Sequence, residues 1–224
     1  MLVKICGISN AIDAFVAIES GADAIGLVMG GKVLPPEVEP HAQHVRQFIK
    51  KFPKEVDSFL VTHLMSAVEI LALANYINCT GIQVSEDVGV EVMKELRSKT
   101  DKKIIKTVVV NNEKESLDKL AVYEPYCDFI LLDTRHGGYT GGTGVTNDWN
   151  LCAKIIKKSK KPVYIAGGLT PDNLLSALQE TNPQGADVST GVGTYSDEYL
   201  RKDRKDADKI KQFIEIAKNY KYGK

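Results

Sequence analysis

Eight short apolar runs, each followed by a helical pattern, set the limits on how this chain can fold. The runs begin near Leu2, Asp23, Val56, Thr80, Lys103, Cys127, Pro162 and Gly185. They read VKI, DAIGLV, VDSFLV, TGIQV, KIIKTVVV, CDFILL, PVYIA and GADVS. Between them apolar residues recur at three- and four-residue spacing, as in Ala14 and Ile18 or Val68 and Leu71. Strands alternating with helices imply a parallel sheet joined by helical crossovers. Eight such units over residues 1–224 predict one α/β domain, a closed (β/α)8 or TIM barrel, with an open doubly wound sheet as the alternative. A chain of 224 residues that is 43% hydrophobic can bury one core of that size.

Two intervals interrupt the even spacing, and both follow strand C-terminal ends, the catalytic face of such a barrel. The loop after strand two, MGGKVLPPEVEP, holds Lys32 between a Gly pair and a Pro-rich stretch; it is expected to be mobile at Gly30 and Gly31. The loop after strand six, TRHGGYTGGTGVTN, places Gly141, Gly142 and Gly144 around Thr143, so that backbone N–H groups can approach an anion. Gly167 and Gly168 follow strand seven; Thr190 and Gly191 follow strand eight. Loops after strands six, seven and eight therefore predict a phosphate-binding barrel mouth.

Strand alternation puts Lys4 and Cys6 on one face of the first strand, with Cys6 at its C-terminal end. Asp133 ends the sixth strand on the face of Phe129 and Leu131. Taken singly, Cys6 reads as a small buried hydrophobe, and Asp133 as a helix cap or a partner of Arg135. Taken together, strands one and six lie opposite each other in an eight-stranded ring. A thiol facing a carboxyl across a phosphate-anchored pocket is a general base facing a general acid. Lys4 or Lys106 could supply the positive field a thiolate needs; either could equally be a core cation paired with Asp187.

Composition excludes other classes. Lys plus Arg and Asp plus Glu are both 29, so net charge is zero and argues for no nucleic-acid partner. No apolar run reaches the ~18 residues of a membrane span, and the N-terminus enters a strand directly, with no leader pattern. Cysteines at 6, 79, 127 and 152 fit neither a metal site nor a disulfide framework, which suits a reduced cytoplasm.

VKICG, GADAIGLV, ILLDT, GGTG, AGGL and DVSTGV, in that order over nearly the whole chain, resemble the phosphoribosylanthranilate isomerases of tryptophan biosynthesis. The resemblance implies a barrel with no cofactor and a small phosphorylated sugar as partner, in a monomer or homodimer. It implies an Amadori rearrangement of N-(5-phosphoribosyl)anthranilate to 1-(2-carboxyphenylamino)-1-deoxyribulose 5-phosphate, an aldose–ketose isomerisation. Cys6 would be the base and Asp133 the acid; Asp187 matches a further carboxylate usual in the family. The family's SPR motif after strand two, whose Arg holds the anthranilate carboxylate, is here GGKVLPPEVEP. Lys32 is the expected substitute, as a point charge without the Arg fork. The family's LHG after strand four becomes Val84-Ser85-Glu86, and His63 ends strand three where no His is expected. A sister isomerase acting on another phosphoribosyl compound, or a non-catalytic barrel binding a phosphometabolite, is the competing expectation.

Overall fold

Residues 1–30, 40–133, 135–136, 139–140, 148–194 and 204–221 are described by a computed structural model. The barrel strands are β1 (Leu2–Ile5), β2 (Ala24–Met29), β3 (Asp57–Thr62), β4 (Gly81–Val84), β5 (Lys103–Val109), β6 (Phe129–Asp133), β7 (Val163–Ile165) and β8 (Gly185–Val188). The helices are α1 (Ala11–Glu19), α2 (Pro40–Ile49), α3 (Ala67–Ile77), α4 (Val90–Lys99), α5 (Glu113–Tyr123), α6 (Trp149–Lys158), α7 (Pro171–Thr181) and α8 (Ala207–Asn219). The eight strands close in chain order, all parallel, with β8 returning to β1 through Lys4 opposite Asp187. The expected barrel is therefore the observed one, and the open sheet is excluded. A two-stranded ribbon, Arg135–His136 with Tyr139–Thr140, extends the loop after β6.

Helix starts follow local chemistry. Asn10 caps α1, its side chain accepting from the Asp13 N–H at 2.9 Å. Thr170 caps α7 in a reciprocal box with Asn173, and Pro171 opens the first turn. Asn112, Asp148 and Asp206 do the same for α5, α6 and α8.

The strand pleat separates two cores. Outward residues such as Val3, Ile5, Ile25, Leu60, Ile82, Ile104, Ile130 and Val163 pack against the helices. Inward residues Ala24, Phe59, Ile105, Leu131, Tyr164 and Ala166 form a second cluster that plugs the barrel. Large rings are fitted by facing glycines. A Cβ on Gly81 would lie 2.3 Å from Phe59, and one on Gly185 would lie 2.4 Å from Tyr164. The lower barrel is thus full and apolar, and only its upper end is left for chemistry.

Phe59 is 1% exposed. Phe59→Ala is expected to cost ~3–5 kcal/mol, measured by urea unfolding, because the neighbouring strands of a closed ring cannot collapse onto the space. A cost below 1 kcal/mol would refute the role given to the plug.

Candidate active site

The strand ends above the plug are polar. Lys4, on the inward face of β1, has no exposed surface, and its Nζ donates to Asp187 Oδ1 at 2.9 Å. The next inward residue is Cys6, at 7% exposure. Both side chains fit because the neighbouring strand carries Gly26. A Cβ there would lie 2.7 Å from Cys6 Sγ, 2.9 Å from Lys4 Nζ and 3.1 Å from Cys6 Cα. Gly26 was visible in the sequence only as part of GADAIGLV; nothing local marks it as a site residue.

The electrostatics centre on the thiol. Burial pushes Cys6 up from its ordinary value; Lys4 pulls it down, Asp187 pushes it up, and Lys205 pulls it down. Burial also works against the Lys4 charge, but Asp187 and Cys6 outweigh it, so Lys4 stays cationic. Of the two cations expected near Cys6, Lys4 is the one found. Lys106 is a correction. The pleat of β5 turns it outward, where its Nζ donates to the carbonyls of Thr107 at 2.6 Å and Glu86 at 2.9 Å. It also lies 4.9 Å from the centre of the Tyr123 ring. Burial lowers its pKa to about 8, and it supports the loop after β4, not the thiol.

A cavity of about 260 Å³ opens over these groups. Cys6 and Asp133 both line it, as do Asp187, Ser189, Thr190, Gly167 and Gly168. Asp133 is 7% exposed, and Leu131 below it sits in the barrel plug, as strand alternation requires. On the β7 side, Gly167 and Gly168 take φ of +88° and +63°, so backbone replaces side chain along the wall. The loop after β8 meets this wall at backbone distance: a Cβ on Gly191 would lie 1.8 Å from the Leu169 carbonyl oxygen. Two of the three expected phosphate loops therefore converge. The third, with Gly141, Gly142, Thr143 and Gly144, lies outside the described residues, as do Lys32 and Gly31.

The opposite rim of the cavity comes from β2, β3 and β4, through Val28, Val61, His63, Gln83 and Ser85. His63 Nδ1 lies 2.7 Å from Glu86 Oε1, with both side chains about one-third exposed. Two departures from the expected motifs, His63 and Glu86, thus form one unit. Their spacing of 23 residues gives no hint of it in sequence. Lys205 was also missed. It is 7% exposed and reaches back from the start of the last helical unit to Ser189. Among the described residues, no group of His, Cys, Asp and Glu could hold a metal ion, and no helix is long and apolar enough to cross a membrane.

Comparison with known proteins places this geometry. Residues 3–216 match the family model described as N-(5'phosphoribosyl)anthranilate (PRA) isomerase. The chain belongs to that family. An N-(5'-phosphoribosyl)anthranilate isomerase 2 of Methanosarcina mazei is 34% identical, with 98% of this chain and 95% of the relative covered. The enzyme of Gloeothece citriformis is 33% identical over 99% and 96% of the two chains. The crystal structure of the Thermotoga maritima phosphoribosyl anthranilate isomerase superposes with a TM-score of 0.82 at 31% identity, covering 98% of this chain and all of that one. A crystal structure of phosphoribosyl anthranilate isomerase in complex with reduced 1-(o-carboxyphenylamino)-1-deoxyribulose 5-phosphate gives 0.78 at 31% identity over 98% and 100% of the two chains.

Gly26→Ala is expected to lower kcat at least tenfold and stability by ~1–3 kcal/mol, since the added methyl meets the Cys6 backbone as well as the thiol. Steady-state kinetics with urea melts would check this. Unchanged kcat would remove Gly26 from the site.

Proposed function

We infer that this protein is a phosphoribosylanthranilate isomerase, converting N-(5-phosphoribosyl)anthranilate to 1-(2-carboxyphenylamino)-1-deoxyribulose 5-phosphate. The observation that carries the reading is one cavity lined by Cys6, Asp133 and the turns after β7 and β8, in a chain of this family. The reaction is an intramolecular oxidoreduction: C1 of the sugar is reduced as C2 is oxidised, and only protons move.

In this reading the 5-phosphate rests on the backbone turns at Gly167–Gly168 and Thr190–Gly191, with Thr143 and its flanking glycines completing the site. The sugar then lies between strands one and six. Asp133 gives its proton to the furanose oxygen, the C1–O bond breaks, and the nitrogen lone pair forms an iminium. Cys6, as thiolate, takes the C2 proton, and the electron pair moves into the C1–C2 bond while the iminium nitrogen is neutralised. The resulting enolamine gains a proton at C1 and loses the C2 hydroxyl proton to give the ketone. Asp187 serves by holding Lys4 beside the thiol.

The aromatic ring points to the other rim, against Val28 and Val61. Its carboxylate requires a cation there, because an unpaired charge in a closing pocket is costly. Lys32 and His63 are the residues assigned to it. Glu86 accepts from His63 Nδ1–H, which fixes the ring and directs Nε2 away from Glu86. This rim is what separates the anthranilate substrate from other phosphoribosyl amines. A monomer or homodimer in the cytoplasm completes the reading; the four free, buried cysteines support the compartment.

Two experiments test it. Cys6→Ser and Asp133→Asn should each lower turnover of the anthranilate substrate by ~10² or more, followed by loss of anthranilate fluorescence, with melting temperature little changed. Near-normal turnover in either variant refutes that assignment. Inorganic phosphate should inhibit competitively and raise the melting temperature by mass action, and Gly168→Val should weaken both effects. Inhibition that is not competitive would move the phosphate elsewhere.

A further inference from the structure

We propose that Lys205 is a positioning residue for the reaction, its ammonium adding a second positive charge to that of Lys4 at the end of β1 that carries Cys6. The inference rests on reading Cys6 as the base. It starts from the charges around the thiol. From β1 comes Lys4, and from β8 comes Asp187, which accepts from Lys4 at 2.9 Å and offsets part of its effect on the thiol. From β2 comes Gly26, with none. From the segment before α8 comes Lys205. Across the cavity lie Asp133 and, at the rim, the His63–Glu86 pair.

Lys205 is placed by three contacts. Its backbone N–H donates to Asp13 Oδ2 at 3.0 Å, its Nζ donates to the Ser189 carbonyl at 2.9 Å, and Ser189 Oγ lies 3.4 Å away. The Nζ packs directly on the residue after the thiol: a Cβ on Gly7 would sit 3.1 Å from it. Gly7 takes φ of +69°, which brings the chain this close. Asp13 lies behind Lys205, but its carboxylate has its own cation, the Arg204 Nε at 3.3 Å. With Asp187 paired to Lys4 and Asp13 to Arg204, Lys205 has no ion pair of its own among the described residues, and its Nζ packs at the end of β1 next to Cys6. Burial pulls Lys205 below its ordinary value; Cys6, Asp187 and Asp13 oppose that pull and Lys4 adds to it, so the ammonium and the thiol act on each other through space.

Burial makes that charge matter, since Cys6 and Lys205 are each 7% exposed. Asp187 offsets part of what Lys4 gives the thiolate, and a further cation adds direct Coulomb attraction at low local dielectric. Lys205 also tethers the loop after β8 to the end of β1, so one side chain ties the phosphate wall to the base.

The test reads the thiol directly in the unliganded, full-length protein. Iodoacetamide labelling of Cys6 is followed by peptide mass spectrometry from pH 6 to 10. Lys205→Met should slow labelling at neutral pH about tenfold or more, equivalent to about one pH unit in the titration. Lys205→Arg should restore most of it. The acid limb of kcat/KM should move up by the same amount, with KM little changed. An unshifted labelling profile in Lys205→Met would overturn the proposal. So would a rise confined to KM and to the inhibition constant of inorganic phosphate, which would assign Lys205 to the phosphate instead. Should Lys205→Met not fold, 15N-lysine NMR of the unmodified protein decides. The Lys205 resonance should show an inflection at the pH where Cys6 ionises, abolished in Cys6→Ser, and its absence is equally fatal. If Cys6→Ser keeps turnover, the base assignment fails while the labelling result stands by itself.

Discussion

A lysine with no exposed surface, paired to Asp187 at 2.9 Å, is the interaction on which the upper barrel depends. A buried ion pair is a poor way to gain stability, since removing two charges from water offsets most of the attraction between them. Losing one partner is worse, because an uncompensated charge stays inside; the cost is about 3–5 kcal/mol. The pair also spans the seam where β8 returns to β1, in register across the ladder. It therefore fixes the last strand against the first and sets an ammonium beside the thiol in one arrangement. Gly26 is the consequence on the other side: the lysine and the cysteine occupy the volume a side chain would need.

The barrel interior divides the labour between stability and chemistry. Phe59 and Tyr164 fill its lower part, opposite glycines that leave room for their rings. That plug lets the upper part hold Lys4, Asp187, Cys6 and Asp133, each of which would destabilise a core if placed there without partners. The turns after β7 and β8 close one end of the cavity with backbone. The rim formed by β2, β3 and β4 closes the other with apolar and ionisable side chains. The two ends of the cavity therefore differ, backbone at one and side chains at the other.

The two lysines singled out with Cys6 show how much the pleat decides. Lys4 and Lys106 are both buried residues inside barrel strands, at 0% and 1% exposure, and composition cannot tell them apart. One points inward to a carboxylate and a thiol. The other points outward to the carbonyls of Glu86 and Thr107 and the ring of Tyr123. Parity along the strand separates them, yet parity in β5 is hard to read because KIIKTVVV is apolar on both faces, as strands buried on both sides are.

The periodicity of the chain determined the fold: eight alternations leave few ways to bury eight parallel strands, and the barrel follows. The sequence also put Cys6 and Asp133 on inward-facing positions at strand ends, and the structure finds both lining one cavity at the mouth. The glycines after β7 and β8 likewise marked a stretch of cavity wall built from backbone. The partnerships were left to the tertiary structure. His63 and Glu86 meet over 23 residues, and Lys205 reaches Ser189 and the neighbourhood of Cys6 from the far end of the chain. Asp187 meets Lys4 across 183 residues, where the sequence had offered either Lys4 or a lysine on β5 as its partner. A charge finds its partner through space. Spacing along the chain reports only which face of its own strand or helix a side chain takes, and the closing of the ring decides what lies across from it.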